Sequence, residues 1–195
     1  MPNRQITRAD LLAMDEYIAV RPERKRSISA LKKNRRVSVG PDATFYFESY
    51  DTMLHQVHEM LYIERGGDDQ IADELAAYNP LVPNGWELVA TLMFEIDEPD
   101  RRGKFLAGLG GVEETVSLSF AGQTVTARPE EDIDRTTVEG KASSVQFLHF
   151  PFTVEQVETC RAPKTQVTLA IGHEKYRHRA VLLEDVRRAL AQDFD

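Results

Sequence analysis

The chain has one cysteine, one tryptophan and no apolar run approaching the ~20 residues that cross a bilayer. A lone cysteine excludes an intrachain disulfide and any single-chain zinc site built on several thiolates, and it suits a reducing compartment. The first residues, MPNRQITRADLL, lack the apolar segment of a secretory signal, so the expected location is the cytoplasm. Several catalytic and binding signatures are missing as well. LAGLGG at 106–111 has neither the lysine nor the preceding strand of a phosphate loop. Asp132 and Asp134 lack the glycine and terminal glutamate of a calcium loop, and no Ser-His-Asp signature is present. Cys160 falls near the end of a predicted helix, where a thiolate is not favoured, and reads as an inert thiol.

What is present is acid, with one exception. The net charge is -8, yet residues 21–36, RPERKRSISALKKNRR, hold eight basic residues against the single acid Glu23. That window carries +7, so the remainder stands near -15. An acidic body disfavours general nucleic-acid binding, which needs a basic surface to displace counterions. Arg24, Lys25, Arg26, Lys32, Lys33, Arg35 and Arg36 nevertheless form a candidate surface for a protein partner, an anion or RNA. The structural alternative is that they fold onto the acidic body of the same chain or of a second copy in a homodimer.

Periodicity gives a sequence of elements. A capping signal at Thr7 and Asp10 opens a short helix that Arg21-Pro22 stops, and the basic stretch follows as an arm or short helix over the body, completing an N-terminal unit of residues 1–34. RVSVG and ATFYFES alternate like the strands of a hairpin turned at Gly40-Pro41-Asp42. Helices are predicted at 51–65 and 69–78, punctuated by Gly66-Gly67 and Pro80. ELVATLMFEI is apolar on both faces, as a central strand should be. A helix at 100–109, a hairpin around Ala121-Gly122, a polar loop RPEEDIDRTTVEGK, a strand SVQFLHF and a capped helix from Thr153 to about Cys160 follow. A strand QVTLAIGH and an amphipathic helix over 179–192 end the chain, and Trp86 reads as an aromatic pinning its loop to the core. The expected class is α+β, a single domain with a mixed, mainly antiparallel sheet and flanking helices.

Two patterns concern chemistry. In HQVHEMLYIE, at about 100° per residue, His55, His58, Glu59 and Tyr62 gather on one side and Met53, Leu54, Val57, Met60 and Leu61 on the other. The histidines are therefore expected to face water, as at most a weak metal pair. Glu64 falls inside the apolar stripe near the helix C-terminus, where the macrodipole disfavours a carboxylate, and calls for an arginine partner or a functional role. Second, Glu48, Glu95, His149 and His173 each lie at or near the end of a predicted strand. Converging on Glu64, they would suit iron, manganese or zinc, although antiparallel neighbours end at opposite edges of a sheet.

Taken together, ITRADLLAMDEY, LKKNRRVSVG, EMLYIER, AYNPLVPNGWELVATLMFEI and SSVQFLHF resemble one family of bacterial proteins of about this length, a domain of unknown function. The resemblance covers nearly the whole chain and implies no catalytic residues. It does imply a redox or oxidative-stress setting, since genes of such proteins often neighbour those of rubrerythrin-like and iron–sulfur oxidoreductase proteins. The first expectation is thus a non-catalytic accessory protein binding such a redox partner through its basic segment. A metal-binding protein or metal-dependent enzyme built on the Glu/His set, and anion or RNA binding through the basic arm, are the alternatives.

Overall fold

Strand alternation decides the layering. The computed structural model describes residues 3–130 and 140–195. The first hairpin forms as expected from β1 (Arg36–Val39) and β2 (Ala43–Phe47). β2 then pairs with β3 (Glu87–Phe94), which lies in the middle of the sheet, and β3 with β7 (Val145–Pro151), which carries the short edge strand β6 (Arg128–Pro129). A second sheet has the order β5-β4-β8-β9, with β4 (Val116–Phe120), β5 (Gln123–Thr126), β8 (Thr168–His173) and β9 (Tyr176–Val181). Every described pairing is antiparallel. The α+β architecture is the expected one, with its strands divided between two sheets.

One face of each sheet contributes to a shared core. From the first come Phe45, Phe47, Leu92, Leu148 and Phe150, and from the second Val116, Leu118, Leu169 and Ile171. These residues alternate with outward-facing neighbours, so the period of two puts one set in the core. The opposite face of the five-stranded sheet carries a smaller cluster in which Val89 meets Met53, Val57 and Leu61 of α2 (Tyr50–Glu64). This second use of β3 explains why its middle is apolar on both faces. α2 begins at a Ser49 cap and ends where Arg65 turns left-handed, φ 56°, before α3 (Gly67–Tyr78). Further helices are α4 (Pro99–Leu106), α5 (Val154–Arg161), capped by Thr153 and Gln156 as expected, and α6 (Glu184–Leu190). Among the described residues no helix is long and apolar enough to cross a membrane.

Four local expectations are corrected. The Thr7–Asp10 capping box closes a single 3-10 turn, and α1 (Met14–Lys33) is one helix that runs through Pro22. An interior proline costs roughly 3 kcal/mol. Here the turn before it is anchored: Tyr17 is fully buried, and Arg21 is bonded to Glu59 and lies 4.2 Å over the Tyr62 ring. The basic arm is therefore the second half of this helix. The amphipathic pattern over 179–192 is split, its first residues belonging to β9, an edge strand whose charged side chains stay in water. Tyr176 of that strand accepts the amide hydrogens of Asp42 and Ala43 and donates to the Val39 carbonyl, joining the two sheets at the first hairpin. A Cβ on Gly40, φ +74°, would lie 2.6 Å from the His178 ring, so both the turn and the approach require glycine. Trp86 is 44% exposed, and Leu81 and Val82 anchor its loop instead. Of the polar stretch 128–141, Arg128 and Pro129 are strand, while 131–139, with Asp132 and Asp134, lie outside the described residues.

Candidate functional site

The side of α2 that periodicity assigns to water is covered by α1, and this corrects the expectation for both histidines. His58 is fully buried and His55 nearly so. His58 donates from Nδ1 to the Leu54 carbonyl at 2.8 Å and accepts the Leu12 amide hydrogen on Nε2 at 3.1 Å. It stacks on Tyr17 at 4.6 Å between centroids. Both nitrogens are thus engaged by backbone, the ring is neutral, and no lone pair is left for a metal. Beside it, the Tyr17 hydroxyl donates to Glu59 Oε1 at 2.6 Å, while Arg21 grips both oxygens of the same carboxylate at 2.7 and 2.8 Å. With the tyrosine proton directed at Glu59, His55 Nδ1, 3.4 Å from the hydroxyl oxygen, can only be a donor. Burial depresses the pKa of both histidines. The paired hydrogen bonds from Arg21, with that from Tyr17, hold Glu59 down to about 2. Burial, together with the bond to Glu59, raises that of Tyr17.

Below this helix pair the outer face of the five-stranded sheet is only partly covered. Counting in twos from the core residues Phe45 and Phe47, β2 turns Thr44 and Tyr46 outward, and Glu48 continues the series; β3 adds Thr91 and Met93. Between these strands, α2 and the α3 end lies a cavity of about 290 Å³ whose lining includes the polar Glu48 and Thr91 and the apolar Met53, Leu81, Met93 and Phe147. Lys32 and Tyr46 line it too, and both also line a shallower groove of about 520 Å³ with Lys25, Lys33, Arg36 and His55. Glu48 is buried. It accepts hydrogen bonds from the Thr52 hydroxyl at 2.7 Å and the Thr91 hydroxyl at 2.8 Å. Burying a carboxylate with hydroxyl partners alone is costly unless another donor or a cation joins them.

The five proposed metal ligands are not brought together. Glu48 is in the cavity; Glu95 is exposed, accepting from Thr44 and Tyr46 at 2.6 Å each, with Arg36 at 3.7 Å. His149 lies between two carboxylates, Nδ1 3.1 Å from Glu87 and Nε2 2.8 Å from Glu130, so both nitrogens donate and the ring is an imidazolium. Burial opposes that charge, but the two carboxylates outweigh it and raise the pKa. His173 is on the other sheet and accepts the Lys175 amide hydrogen. Glu64 is exposed and bonded by Gln70, because the packed stripe of α2 ends one turn earlier, at Leu61; it needs no arginine. Among the described residues no three His, Cys, Asp or Glu side chains form a metal-ligand group.

Of the basic set, Arg35 is removed by the fold. It is 5% exposed and clamps the carbonyls of Phe47 and Glu48 and the Asp193 carboxylate, tying β2 to the C-terminal turn. Lys25 is 3.9 Å from Glu59. Arg24, Arg26, Lys32 and Lys33 have no ion-pair partner among the described residues. Cys160 is buried against Arg187 and its thiol is pushed up to about 11 by burial, which agrees with an inert group. Sequence reasoning missed Tyr17, Arg21, Tyr46 and Thr91. The last two were readable from the period-two count on β2 and β3, but the first two depend on α1 meeting α2.

The family model described as a protein of unknown function, DUF3501, matches residues 5–194. No curated protein matches. A solved structure, the crystal structure of a novel protein of unknown function from Burkholderia pseudomallei K96243, is 36% identical, with 98% of this chain and 100% of that chain covered and a TM-score of 0.91.

Proposed function

The chain belongs to this family of unknown function, and from that premise we propose that it is a cytoplasmic, non-catalytic accessory protein that docks an acidic partner on the cationic part of α1. The observation that supports this reading is the set of cations Arg24, Arg26, Lys32 and Lys33, which have no counter-ions among the described residues of an otherwise acidic protein. An acidic protein surface complements them. α1 presents them on a helix clamped to α2 through Tyr17, Arg21 and Glu59, so the surface is preorganised. A redox protein of the rubrerythrin-like or iron–sulfur kind is the partner implied by the family resemblance.

The test is a titration of the full chain against those redox proteins encoded in the same genome, followed by calorimetry at low and physiological salt. Saturable binding that weakens with salt, and that falls about tenfold or more when Arg24, Lys25 and Arg26 are all changed to glutamate, is the expected result. Binding untouched by the triple change, or absent for every such protein, overturns the reading.

A further inference from the structure

We propose that the cavity on the outer face of the five-stranded sheet binds a small zwitterion with an apolar substituent, the class to which free apolar amino acids belong. Lys32 and Glu48 are the only charged side chains lining it among the described residues. They carry opposite charges, yet they form no ion pair with each other, and neither has an ion pair elsewhere among the described residues. Glu48 is 6% exposed and Lys32 is half-buried, so neither charge is fully solvated. Two opposite charges that line one small cavity without pairing with each other are complementary to a molecule that carries both.

The remaining walls narrow the choice. Glu48 accepts one hydrogen bond on each oxygen, from Thr52 and Thr91. A carboxylate has about four acceptor sites, so room remains for an ammonium donor. Lys32 lines both the cavity and the groove that holds Arg36 and Lys33, so a ligand carboxylate is favoured beside it. Met53, Leu81, Met93 and Phe147 add apolar surface to the lining, and Met93 is adaptable to side chains of different shape. At about 290 Å³ the cavity suits an amino acid and excludes a nucleotide or a peptide. The cavity shares Lys32 with the docking surface, but Arg24, Lys25 and Arg26, whose replacement tests docking, do not line it, so the two readings fail independently.

The proposal is tested by calorimetric titration of the full-length protein with L-leucine, L-methionine and L-phenylalanine, and with two single-charge analogues of the last, 2-phenylethylamine and 3-phenylpropionate. We expect saturable one-to-one binding of at least one amino acid. For wild-type protein, phenylalanine should bind about tenfold or more tightly than either analogue, a comparison that needs no variant to fold. Glu48→Gln should weaken the amine about tenfold while leaving 3-phenylpropionate unchanged, and Lys32→Met should do the reverse. Absence of saturable binding for all three amino acids overturns the proposal. So does equal affinity for the zwitterion and its analogues, or binding indifferent to both substitutions.

Discussion

The two faces of the five-stranded sheet solve opposite problems with the same strands. The inner face is dry: Phe45, Leu92, Leu148 and Phe150 are fully buried against the second sheet. The outer face is an uneven mixture in which Val89 is packed by α2, Thr91 serves Glu48, Thr44 and Tyr46 serve Glu95, and His149 bridges Glu87 and Glu130. Apolar packing needs only area and shape, so the inner face is continuous. Polar side chains must each find a partner of defined geometry, which leaves gaps such as the cavity over Glu48. The larger apolar core therefore lies on one side of the sheet, and the candidate chemistry on the other.

The sharpest way to break that division is by truncation. Phe150→Ala on the inner face should cost about 3–5 kcal/mol in urea unfolding, whereas Met93→Ala, half-buried beside the cavity, should cost about 1 kcal/mol. Equal losses would show that the outer face is as much a core as the inner one.

Smaller and dependent on pH is the clamp between α1 and α2. Glu59→Gln should lower stability by roughly 2 kcal/mol at neutral pH, since it removes the charge that Arg21 grips and weakens the acceptor of the buried Tyr17. The folded pKa of about 2 lies below the ordinary glutamate value, so this contribution is complete above about 4.5 and fades as pH falls toward 2. Thermal melts of the two proteins should converge over that acid range. A gap that persists below pH 2 would mean that packing, not charge, carries the clamp.

His149 gives the smallest effect and the opposite sign. Its pKa is raised by Glu87 and Glu130, so its contribution is complete below about 6.5 and is lost as pH rises through the folded value. His149→Gln should be less stable than wild type at pH 6, with the difference shrinking as pH rises through the folded value, as read by thermal melts. A difference that widens toward alkaline pH would contradict an imidazolium held between the two carboxylates.

Legibility followed the range of the forces involved. The first hairpin, the central β3 and the capped helices α2 and α5 were readable because turn residues, alternation and caps act within a few positions. The strand at Tyr176–Val181 was hidden because its residues fit a helical period as well, and only pairing with β8 decided between them. His55 and His58 were read as solvated because a helical wheel identifies one apolar stripe, whereas α2 is buried on two sides, one of them by a polar network. For Glu64 the wheel was right about the angle, but the packed region ends before the helix does. Of the candidate site, Glu48 and Lys32 were each singled out from the sequence, in different roles, and their meeting in one cavity was not readable.

By itself, then, the sequence determined the α+β class, the antiparallel hairpins, most helix boundaries and the concentration of positive charge between residues 21 and 36, all consequences of local propensity and composition. Only the tertiary structure decided that α1 continues through Pro22, that its inner face seals the histidines of α2, that Arg35 is structural, and that Lys32 faces the cavity floored by Glu48. Each of those outcomes depends on which distant group lies within hydrogen-bond or van der Waals reach, and that distance is a property of the packed chain, not of any short stretch of it.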